Sequence, residues 1–141
     1  MVAIAIVVGM GCGSSSPLTS SDYIKQMLTM KAWNLISYGI DENMNAVLDG
    51  EEPRIKDCEK DDVYNFYSDN SGSISDNNNV CTPAPAPSFT WQLPGNDPNK
   101  IEFLGQTYSI ATLDSNNLVL KKDATTSGGQ STQYIAVYHR D

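Results

Sequence analysis

Between Asp57 and Cys81 the chain carries a denser set of structural instructions than anywhere else. It opens with the polar string Asp57-Cys58-Glu59-Lys60-Asp61-Asp62 and passes into the alternating run Val63-Tyr64-Asn65-Phe66-Tyr67. Ser68-Asp69-Asn70-Ser71-Gly72 has the composition of a hairpin turn, and Asp76-Asn77-Asn78-Asn79 leads on to Cys81. Alternation of polar and apolar side chains marks a strand with one face buried. The stretch is therefore expected to be a β-hairpin with Tyr64 and Phe66 turned into a core. A Cys58–Cys81 disulfide is expected to staple its outer ends.

The cysteine count supports that pairing. The chain has 141 residues and three cysteines, and Cys12 stands apart behind the apolar run Val2 to Val8. The uncharged stretch from Met1 to Gly11 is too short to cross a membrane, but it suits the hydrophobic region of a signal peptide. Small residues (Gly11, Gly13 and Ser14 to Ser16) surround the cysteine. The segment resembles a bacterial lipoprotein signal, which implies that residues 1–11 are removed and that Cys12 becomes a lipidated N-terminus. The alternative is an ordinary free or buried cysteine. Lipidation leaves Cys58 and Cys81 as the remaining pair, and their bond requires an oxidising compartment. The expected location is the bacterial cell envelope, periplasmic or cell-surface. Residues 12–19 are Ser-rich and read as a flexible tether, and residues 20–141 are long enough for one domain with a real core.

Within that domain Tyr23, Ile24, Met27, Leu28 and Met30 suit a short amphipathic helix. Strand-like runs follow at Lys31–Tyr38, Asp62–Ser68, Ser71–Asp76, Ser88–Leu93, Lys100–Leu104, Gln106–Leu113, Leu118–Lys121 and Gln133–His139. Trp33, Leu35 and Ser37 are expected to share one face of the first. The segment Thr82–Pro87 is extended by its prolines and reads as a crossover. Eight short strands after one helix favour an all-β fold, an eight-stranded antiparallel barrel, because closure removes exposed edges.

The order of these features resembles the lipocalin-like lipoproteins of Bacteroidetes. The resemblance rests on a strand with Lys31-x-Trp33, on Asp57-Cys-Glu-Lys-Asp-Asp-Val-Tyr-x-Phe66 and on the Asn-rich approach to Cys81. It continues through Phe89-Thr-Trp91 and Gly105-Gln-Thr-Tyr-Ser-Ile-x-Thr-Leu113. It implies a lipocalin-like barrel whose N-terminal Trp closes one end, often with an apolar cavity.

Trp33, Tyr64, Phe66, Phe89, Trp91, Phe103, Tyr108 and Ile110 are the expected interior residues. They either fill the barrel or line a pocket for one small ligand. Trp33 either plugs the closed end, with its indole N–H on a backbone carbonyl or a final-strand side chain, or lies half-exposed beneath the helix. The oxygen-rich run Asp41-x-Asn43-x-Asn45-x-x-x-Asp49-x-x-Glu52 has EF-hand-like spacing. Ala46 stands where glycine makes that loop's turn, however, and Pro53 replaces a following helix. It reads as a solvated acidic loop, and no metal site is expected. Asp57, Glu59, Asp61 and Asp62 read as a solvated rim.

His139 is the only histidine, no catalytic or cofactor motif stands out, and neither an enzyme nor a cofactor is expected. A net charge of −8 without a basic stripe excludes nucleic acid. The expected role is binding by a membrane-anchored exported lipoprotein, of a small apolar ligand in the barrel or of a protein or glycan at its rim. The alternative is a structural or accessory lipoprotein whose filled barrel docks a protein partner.

Overall fold

The computed structural model describes residues 20–95 and 97–141. The expected signal segment, the tether and Cys12 lie outside the described residues. Helix α1 (Ser20–Thr29) forms where apolar side chains recur at helical spacing, and it buries Ile24, Met27 and Leu28. Tyr23 and Met30, expected on that face, are exposed, because the helix stops at Thr29 and Tyr23 falls on its outer side.

Eight strands follow: β1 (Trp33–Asp41), β2 (Val63–Phe66), β3 (Ser71–Ser75), β4 (Ser88–Gln92), β5 (Lys100–Phe103), β6 (Gln106–Leu113), β7 (Asn117–Thr125) and β8 (Ser131–His139). Each pairs antiparallel with the next, and β8 closes on β1 from Asn34↔His139 to Asp41↔Gln133. The barrel is closed, as the strand count implied. Two strands depart from the expected pattern. A register shift between Leu35 and Ser37 breaks the alternation of β1, so Ser37 does not continue the face of Trp33 and Leu35. Strand β7 runs on past Lys121 through Lys122 and Asp123, because β8 offers a ladder as far as Thr125↔Ser131 whatever the side chains are.

The hairpin of β2 and β3 has the register Val63↔Ser75 to Phe66↔Gly72. Cys58 and Cys81 are bonded, with their Cα atoms 5.1 Å apart. Gly72 is a packing requirement here, since a Cβ at that position would lie 2.2 Å from the ring of Phe89.

The antiparallel order sorts the connections onto two ends. Helix α1 and the turns at 67–70, 93–99 and 114–116 lie at one end. The long connections 42–62 and 76–87 lie at the other. No helix among the described residues is long and apolar enough to cross a membrane.

Candidate functional site

The inward positions of β2, β4 and β5 carry aromatic side chains, and the barrel brings them into one column. Phe66 meets Phe89 at 5.2 Å, Trp91 at 5.6 Å and Phe103 at 5.6 Å between ring centroids. Phe103 in turn meets Phe89 at 5.3 Å and Tyr108 at 5.7 Å, and Tyr64 meets Tyr138 at 5.2 Å. Several of these contacts are edge-to-face, the geometry that ring quadrupoles favour. All six expected ring positions from Tyr64 to Tyr108 are buried, whereas Ile110 is only partly buried against this core. The expected residues therefore do share an interior, and along the column they touch one another.

Two further tyrosines, outside the expected interior set, extend the column. Tyr138 and Tyr134 alternate with Ala136 on β8, a period-two signal available in the sequence. Tyr38 reaches Tyr134 at 6.1 Å only because of the β1 irregularity, which no residue pattern announced. Its hydroxyl donates to Glu59 Oε2 at 2.9 Å. Burial, and then the bond to Glu59 and its charge, push the Tyr38 hydroxyl up to about 12.

Trp33 is fully buried at the closed end and donates its indole N–H to the carbonyl of Leu28 at 3.1 Å. The acceptor is thus a backbone carbonyl, contributed by α1 rather than by the barrel. Arg140 covers the other side, with its guanidinium carbon 4.1 Å from the Trp33 ring centroid. The same guanidinium donates to the carbonyl of Met27 at 2.5 Å and to that of Ser115 at 2.6 Å. A cation at a helix C-terminus also meets the negative end of the helix dipole. Nothing in the periodicity of the chain marked Arg140 for this position.

The acidic residues behave in three ways. Asp57 is exposed and pairs with Lys60 at 2.6 Å, while Glu59 takes Tyr38. Asp62 departs from the solvated-rim expectation because it is 2 % exposed. Burial, and then the charges of Asp76, Asp61 and Glu59, push its carboxyl up to about 6. In the oxygen-rich loop Asp41 is also fully buried rather than solvated. Burial alone would raise its carboxyl. The side-chain amide of Gln133 at 2.6 Å and the backbone amides of Ala46, Asn45 and Met44 outweigh burial and hold it below the usual range. The remaining acceptors of that loop are taken up locally: Asn43 and Asn45 accept from the amides of Asn45 and Val47. Ala46 takes the left-handed conformation at φ 65° that glycine would otherwise supply.

A groove of about 520 Å³ lies on the outer wall, from the turn at 67–70 across β4 and β5 to Thr107. Asp69, Asn70, Thr90, Gln92, Glu102 and Thr107 line it, over the buried Trp91 and Phe103. The β4–β5 ladder here is short, pairing only Trp91↔Phe103 and Gln92↔Glu102. The side-chain amide of Gln92 donates to the carboxylate of Glu102 across it.

A family model described as a lipocalin-like domain matches residues 30–120. No curated protein matches the chain.

Proposed function

The chain belongs to the lipocalin-like domain family, and from that premise we propose a non-catalytic binding protein that works through its outer surface. The observation that carries this reading is the ring column. Phe66, Phe89, Phe103 and Tyr108 occupy the interior by touching each other, and the concavity of about 520 Å³ lies outside the wall. A small barrel can be filled by its own side chains or can hold one ligand, and ring-to-ring contact favours filling. The groove offers neutral donors and acceptors from Asn70, Thr90, Gln92 and Thr107 with two carboxylates, Asp69 and Glu102. Such a lining matches the closely spaced hydroxyls of a glycan better than an apolar molecule. The disulfide and the leader-like segment before Cys12 support export, with the lipid anchor at Cys12 holding the domain to a bacterial membrane.

The test is a nuclear magnetic resonance titration of the labelled protein with a panel of soluble oligosaccharides. Shifts confined to Thr90, Gln92, Glu102 and Thr107 are expected with at least one of them. Shifts confined to interior positions such as Phe89 and Tyr138, or no shift with the whole panel, would contradict the reading.

A further inference from the structure

Where the turn at Asp57–Glu59 hands over to β2, the carboxylates of Asp61 and Asp62 meet that of Asp76, which follows β3. One oxygen from each lies within 4.8 Å of the others. The hairpin register explains the meeting, because Asp62 and Asp76 flank the pair Val63↔Ser75. Backbone amides orient the outer two. Asp61 Oδ2 accepts from Asn78 at 2.7 Å and Asn79 at 3.0 Å, and Asp76 Oδ2 accepts from Cys81 at 3.1 Å.

Those bonds leave Oδ1 of Asp61 and Oδ1 of Asp76 buried with no partner. Asp62, between them, is 2 % exposed, and its Oδ1 is also buried and unpartnered. No ion pair among the described residues reaches the three. Lys60, the nearest lysine in sequence, is held by Asp57. Buried carboxylates without partners are costly, and like charges side by side raise the cost further. The hairpin does not need them for closure, since the Cys58–Cys81 bond already ties its ends.

A donor set made only of oxygen, with no cysteine thiolate or histidine, suits a hard cation rather than zinc. Its placement on a turn and a loop also suits calcium, which tolerates flexible geometry better than magnesium does. We propose that Asp61, Asp62 and Asp76 hold a calcium ion that clamps the start of β2 to the end of β3, beside the disulfide.

The experiment is a calorimetric titration of the chelator-treated, disulfide-intact protein with calcium chloride, followed by melting with and without calcium. One site is expected, with a Kd of roughly 10⁻⁴–10⁻³ M, the range of extracellular calcium modules, and a higher melting temperature when it is filled. Asp62→Asn and Asp76→Asn should each weaken binding by about tenfold or more. Asp49→Asn, in the separate oxygen-rich loop, should leave binding unchanged. Asp62→Asn removes one charge from a crowded point, so in chelator this variant should melt at or above the wild-type temperature, which shows that it folds. The absence of both heat and a melting shift up to about 10 mM calcium would overturn the proposal. So would wild-type affinity in both trio variants, or loss of binding in Asp49→Asn alone.

Discussion

Trp33 and Arg140 close one end of the barrel as a unit. The indole is fully buried, its N–H is taken by Leu28, and its face carries a guanidinium that also bonds the end of α1 and the 114–116 turn. Trp33→Ala would remove a large side chain from a site that the helix cannot collapse into. It should cost about 3–5 kcal/mol in denaturant unfolding, and an unchanged midpoint would contradict the plug. Asp41 makes a different residue-scale claim. Its folded carboxyl lies below the ordinary value of 3.8, so the unfolded chain binds the proton more readily. The stability it contributes is fully present above that value and is lost as pH falls through the lower folded one. Asp41→Asn should therefore flatten the acid limb of a stability–pH profile below pH 3.8, and an acid limb identical to wild type would count against the bond network.

Among the elements, β4 and β5 were legible in the chain because one face of each is buried and the turn chemistry between them is local. β1 was legible as a strand through Tyr38, but the facing of its side chains only as far as Leu35, since the irregularity after it follows from its pairing with β8. The second half of β7 was hidden because Lys122 and Asp123 have no apolar pattern, and a partner strand alone makes them extended. The candidate sites divide in the same way. Aromatic positions could be read from alternation, whereas the meeting of Asp76 with Asp61 and Asp62 depends on hairpin register. The disulfide belongs to both levels, because the cysteine arithmetic named the pair and the fold brings the two Cα atoms to 5.1 Å. Replacing Cys58 and Cys81 together by serine should lower unfolding free energy by about 3.5 kcal/mol in the chain-entropy model. A double variant with the wild-type denaturant midpoint would show that the unfolded chain gains nothing from the bond.

At the scale of the whole molecule, a closed barrel without free edges carries a net charge of −8 and, in the proposed reading, a lipid at Cys12. Cys12→Ser should move the protein from the membrane fraction to the soluble one, and unchanged membrane association would refute the anchor. The interior, however, is filled by its own rings. Titrating the wild-type protein with a fluorescent fatty acid tests it most directly. No saturable binding is expected, because Phe66, Phe89 and Phe103 already occupy one another's surfaces. Saturable one-to-one binding that raises the melting temperature would mean that the column opens to admit a ligand, and the surface reading would fall.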